Sequence, residues 1–162
     1  MRTILSLFTT AFVLATSLSA HAADTLRQRA LGTWKLTSNY DQFEDGTRRD
    51  TWGANPQGVV IFTPEGIFSA ILVGNDRQPK PGTVPTDPVG PAVAYYGTYT
   101  IDEAAHTFTN SVLQSTFPQW RGVSLTRHID ELTDTRLVVT AALITGPDGR
   151  KFAPHLEFER VK

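Results

Sequence analysis

The sequence predicts an all-β fold, an antiparallel up-and-down barrel of about eight or nine short strands with one short N-terminal helix. Three observations carry that prediction. Beyond position 32 the apolar residues fall on alternate positions, and no later window keeps a helical period. The alternating runs are separated by turn chemistry, including Asp45-Gly46, Pro64-Glu65-Gly66 and Gly146-Pro147-Asp148-Gly149. The chain also has no cysteine, so its stability must come from a well-filled core, which suits a closed barrel better than a loop-rich scaffold held by disulfides.

Residues 1–22 read as an export signal. Met1 and Arg2 give a positive start, an apolar run broken only by Ser and Thr follows, and Ala20-His21-Ala22 is a small-x-small cleavage pattern. The run is too short and too polar for a good membrane span, which needs about 20 apolar residues. Cleavage after Ala22 would leave residues 23–162 as a single domain, periplasmic or secreted and not inserted in a membrane. The whole chain of 162 residues carries a formal charge of −1, too little positive field for nucleic-acid phosphates. Nothing in the sequence specifies an oligomeric state.

The helix is expected over 24–31, with Asp24 as its cap, Leu26, Ala30 and Leu31 on one face, and Gly32 ending it. Strands are expected over 33–40, 47–52, 59–63, 67–73, 95–101, 107–113, 123–129, 137–143 and 155–161. Alternation places Trp34, Leu36, Ser38 and Tyr40 on one face of the first. Val60 with Phe62, Phe68 with Ala70 and Leu72, and Phe108 with Asn110 and Val112 form the inward sets of later strands. Residues 74–94 carry five prolines and three glycines and can be neither a central strand nor a helix. A connection that long is a lid or a plain linker.

Gly32-Thr33-Trp34, opening the first strand after a helix, resembles the G-x-W start of lipocalins. Further along, Phe62-Thr63-Pro64-Glu65-Gly66, Tyr96-Gly97-Thr98-Tyr99-Thr100, Pro118-Gln119-Trp120-Arg121-Gly122, Arg127 and Leu156-Glu157-Phe158-Glu159-Arg160-Val161 are similar to the bacterial and fungal lipocalin-like domain family. The resemblance spans residues 31–161. It implies a lipocalin-like calycin barrel and small-ligand binding, and it casts Arg160 as a structural residue packed over Trp34 at the base of the barrel. Where members of the family often carry a histidine pair, this chain has Asn110 and Ser111, so chemistry resting on those histidines does not transfer.

Arg127 shares a strand face with Val123, Leu125 and Ile129, which would put a charge inside the barrel. A bare buried charge costs several kcal/mol. Arg127 is therefore either an anchor for a ligand carboxylate, a partner of a buried acid, or on the outer wall after a one-residue slip. The residues expected at a ligand are Arg127, Asn110, Phe62, Phe68, Tyr40, Tyr96, Tyr99 and Trp120; Trp34 and Arg160 are expected to be structural. His106, His128 and His155 have no metal-ligand spacing, and no nucleophile elbow is present, so no metal, cofactor or catalytic set is expected.

These features favour an exported protein that binds a small apolar or aromatic ligand, possibly one bearing a carboxylate. One alternative is a cofactor-free enzyme in which Arg127, Asn110 and a tyrosine such as Tyr99 polarise a carbonyl for isomerisation, cyclisation or dehydration. Another is a solid barrel serving as a structural or interaction protein.

Overall fold

The computed structural model describes residues 25–75, 77–78, 82 and 90–162. The expected export signal and most of the proline-rich connection lie outside the described residues. Helix α1 (Leu26–Ala30) precedes strands β1 (Gly32–Phe43), β2 (Arg48–Arg49), β3 (Gln57–Phe62), β4 (Ile67–Val73), β5 (Ala92–Asp102) and β6 (Thr107–Ser115). A 3-10 turn at Pro118–Trp120 then leads to β7 (Ser124–Leu132), β8 (Arg136–Ala141), β9 (Ile144–Thr145) and β10 (Lys151–Arg160).

The long strands pair antiparallel in the order β1-β3-β4-β5-β6-β7-β8-β10, and β1 pairs with β10 to close an eight-stranded barrel. The two-residue strands β2 and β9 are attached at the rim, to β1 and β10 respectively. The expected strand over 47–52 therefore contracts to Arg48–Arg49, because the chain turns away through residues 50–56. The helix is also shorter than expected. Thr25, not Asp24, is its cap, in a capping box where the Thr25 hydroxyl accepts from the Gln28 amide and the Gln28 side chain accepts from the Thr25 amide.

Closing the wall removes the free edges that an open sheet would present and encloses the inward side chains of every long strand. Trp34, Leu36, Val60, Phe62, Phe68, Phe108, Val112, Leu137, Val139 and Phe158 form one buried cluster. Three irregularities shape it, one of them Asp130, an extra residue in β7 against β8, where the pairing steps from Ile129–Val139 to Glu131–Val138. Thr37 is an extra residue in β1 against β10, where the pairing steps from Leu36–Phe158 to Ser38–Glu157. Leu113 is an extra residue in β6 against β5, beside a backbone approach so close that a Cβ on Gly97 would lie 1.9 Å from the Ser111 carbonyl oxygen.

The hairpins β3–β4, β5–β6 and β7–β8 and helix α1 gather at one end of the barrel. Here Glu103 accepts hydrogen bonds from the Leu26 and Arg27 amides at 2.8 and 3.1 Å, satisfying donors that the short helix cannot bond internally. Arg27 donates to the Pro64 carbonyl, and Arg29 donates to the Leu132 carbonyl. The helix thus plugs this end. The opposite end carries the longer connections.

Candidate functional site

The closed end is fully engaged. Trp34 has no exposed surface, and its indole N–H donates to the Ala30 carbonyl at 2.8 Å. The Arg160 guanidinium lies 4.1 Å from the Trp34 ring and donates to three carbonyls, those of Asp134, Leu31 and Arg29, at 2.5–2.6 Å. Gly32 adopts φ +113°, and a Cβ there would approach an Arg160 nitrogen to 3.1 Å, so the glycine of the G-x-W triplet keeps room for that arginine. Tyr99 also belongs to this end. Its hydroxyl donates to the Thr63 carbonyl at 2.9 Å, and its ring meets Phe62 edge-on.

Toward the open end the inward side chains no longer fill the space. They leave a cavity of about 230 Å³ whose wall includes Phe62, Phe68, Phe108, Leu137, Val139 and Phe158 below. Trp52, Leu72, Val93, Tyr95 and Trp120 line it as well. An engineered apolar cavity of about 150 Å³ is enough to bind benzene, so this one has room for a molecule of one or two rings. The ring of Tyr95 meets that of Trp120 edge-on at 5.3 Å, and Phe117 braces Trp120 from beyond at 5.4 Å.

Three polar side chains project inward from adjacent strands β5, β6 and β7. Arg127 lines the cavity, partly exposed through it, yet packed closely enough that desolvation pulls its pKa below the ordinary arginine value. Its guanidinium donates to the Thr126 carbonyl at 3.1 Å, and among the described residues it makes no ion pair. Burial raises the pKa of the neighbouring Tyr95 hydroxyl, an effect the positive Arg127 partly opposes. Asn110, only 1% exposed, stands beside the Tyr95 hydroxyl, and its amide nitrogen and amide oxygen have no hydrogen-bond partner. A buried amide without partners is costly, by about 1–3 kcal/mol per unmade bond.

On the far side, the extra residue Thr37 reverses the face of β1 for every position beyond it. Asn39, Asp41 and Phe43 turn inward and are buried, and Asn39 and Asp41 line the cavity. Tyr40, expected inside, stands on the outer wall. There it stacks parallel on His155 with centroids 4.9 Å apart, and the Arg48 guanidinium lies 3.6 Å from its ring. Asp41 accepts from Arg49 at 3.0 Å, and Arg49 is itself half exposed at the rim.

Of the residues expected at a ligand, Arg127, Phe62, Phe68 and Trp120 line the cavity, and Asn110 lies in the wall beside Tyr95. Three positions differ from expectation. Tyr40 is outside because of the bulge. Tyr96 is 47% exposed on the outer face, since β5 alternates without interruption and turns Val93, Tyr95, Gly97 and Tyr99 inward. Tyr99 points inward but is committed to the plug, so Tyr95 is the tyrosine that stands beside Arg127 and Asn110. Uninterrupted alternation was itself the available signal, because residues 96 and 99 cannot share a face of a regular strand. Asn39 and Asp41 carried no comparable mark. Among the described residues no His, Asp and Glu side chains gather as a metal site, and no helix is long and apolar enough to cross a membrane.

Comparison with solved structures returns a redesigned β-barrel at 17% identity and TM-score 0.42, covering 88% of this chain and all of that one. It also returns bovine odorant binding protein in complex with a selenium-containing odorant, at 13% identity and TM-score 0.45, covering 89% of this chain and 78% of that one. No curated protein matches the sequence. The family comparison is decisive: the lipocalin-like domain pattern matches residues 31–151, through the first strand, the barrel wall and the start of the last strand, and the chain belongs to that family.

Proposed function

We propose that the barrel is an exported binding protein for a small planar, largely apolar molecule that carries one anionic group, with Arg127 as the anchor of that group. The observation that carries this reading is the Arg127 guanidinium in the cavity wall with no acidic partner among the described residues. A charge in such surroundings is stabilised by a counter-charge brought by a ligand, and a guanidinium can hold a carboxylate through two parallel hydrogen bonds. The aromatic lining supplies flat apolar surface, as small-molecule pockets commonly do. A solid interior, as a purely structural barrel would have, is not what the side chains build. Export rests on the positive start, apolar run and Ala20-His21-Ala22 pattern of the sequence; an exported form beginning at Ala23 on N-terminal sequencing would support it.

The test compares 2-naphthoate with its neutral isostere 2-naphthamide by quenching of tryptophan fluorescence, since Trp52 and Trp120 line the cavity. The acid is expected to bind about tenfold or more tightly than the amide, the range of a hydrogen bond to a charged group, and Arg127→Met should abolish the preference. Equal binding of the two probes, or quenching by neither, would overturn the proposal.

A further inference from the structure

The cavity contains a second polar region that an anion-anchoring role does not use. Among the described residues the buried polar side chains are Asn39, Asp41 and Asn110, and two of the three line the cavity from β1. They do so because Thr37 is inserted in that strand; without the insertion Ser38 and Tyr40 would occupy the inner face. Between β1 and β7 stand β10 and β8, whose contributions to the cavity are Pro154, Leu156, Phe158, Leu137 and Val139. The two polar regions are therefore separated by an apolar stretch of wall. A ligand that meets both must span the cavity.

The charges at the two regions differ in kind. Asp41 is already neutralised by Arg49, whose guanidinium is further held over the rings of Phe43 and Phe152 at 4.9 and 5.2 Å. The described hydrogen bond of the Asp41 carboxylate uses Oδ2, and the group lines the cavity as an acceptor. A second cation at Asp41 would meet Arg49, whereas a neutral O–H donor would not. Arg127 has no such neutralising partner, so among the described residues the cavity lining carries one uncompensated positive charge.

We infer that the cavity has two poles and selects a monoanion bearing a hydroxyl group, a hydroxylated aromatic or alicyclic carboxylic acid, with the anionic group at Arg127 on β7 and the hydroxyl at Asn39 and Asp41 on β1. This rests on the reading of Arg127 as the anchor. It makes Asn39 and Asp41 the specificity-determining residues, because a buried acceptor left facing an apolar ligand loses its hydrogen bond.

The experiment titrates the wild-type protein with 2-naphthoate and with the set of its monohydroxylated isomers, again by tryptophan fluorescence. At least one isomer is expected to bind about tenfold or more tightly than 2-naphthoate, and Asp41→Leu should bring the ratio of those two affinities to about one. If 2-naphthoate binds and every hydroxylated isomer stays within about threefold of it, the second pole has no role in recognition and the inference is overturned. A ratio that survives Asp41→Leu overturns it equally. If neither the parent acid nor any isomer binds, the failure belongs to the Arg127 anchor. The comparison of isomers on wild-type protein stands whether or not the variant folds.

Discussion

Arg160 and Arg127 place the same guanidinium at opposite ends of one barrel, and the fold treats them in opposite ways. Arg160 donates to three main-chain carbonyls and covers the Trp34 ring. Arg127 donates to one carbonyl, that of its own neighbour Thr126, and otherwise looks across the cavity. The first has its donors spent on holding chain segments together: the end of α1, the β7–β8 turn and β10. The second has donors to spare. The comparison separates an arginine that organises a fold from one available to a guest, and the separation rests on counting hydrogen bonds, not on burial alone.

The largest expected effect comes from removing the engaged member of the pair. Arg160→Ala withdraws hydrogen bonds to charged donors and a cation–π contact, and should lower unfolding free energy by about 2–4 kcal/mol, read as a shift of the denaturation midpoint in urea. A loss of less than ~1 kcal/mol would show that the plug is held mainly by apolar packing. Arg127→Met should do the reverse to stability. Removing an unpaired charge from a desolvated position should leave the unfolding free energy unchanged or raise it by up to about 1 kcal/mol, on the same urea assay. A clear loss would mean that Arg127 is a structural element like its counterpart.

The smallest effect is one of pH. Burial raises the pKa of Tyr95 above the ordinary phenol value, and burial likewise raises that of Tyr99 at the closed end. The folded state therefore holds these two protons more tightly than the unfolded chain does. Their contribution is fully present below about pH 10, where the unfolded tyrosines titrate, and is lost as pH rises through the higher folded values. Urea unfolding followed from pH 9 upward should show stability declining past pH 10, and Tyr95→Phe should flatten part of that decline. An unchanged slope in Tyr95→Phe would contradict the assignment.

Much of the barrel was legible because one physical rule, alternation against a single core, governs most of its wall. Trp34 with Leu36, Val60 with Phe62, Phe68 with Leu72, and Phe108 with Asn110 all stand where a period of two puts them. The fold class and the long strands from β3 onward follow from that rule and the turns between them, whereas the two-residue β9 was not expected. What escaped depends on interactions across strands. The insertion of Thr37 is defined only by how β1 meets β10, more than a hundred residues later in the chain, and nothing in residues 33–42 alone distinguishes Tyr40 from Asn39 or Asp41 as the inward residue. Phe43, apolar at the strand end, was a hint that the phase had changed. Tyr96 was chosen for its aromatic character near a strand end, when continuous alternation through β5 favours Tyr95.

The seam between β1 and β10 has one further consequence. Gly32 and Arg160, where the wall starts and finishes, both belong to the end stoppered by α1, and the Val161 amide is bonded to the Thr33 carbonyl beside them. A tag, linker or carrier joined after Arg160 therefore hangs from the base of the vessel. Tethered to a surface in that way, the protein would present its mouth outward.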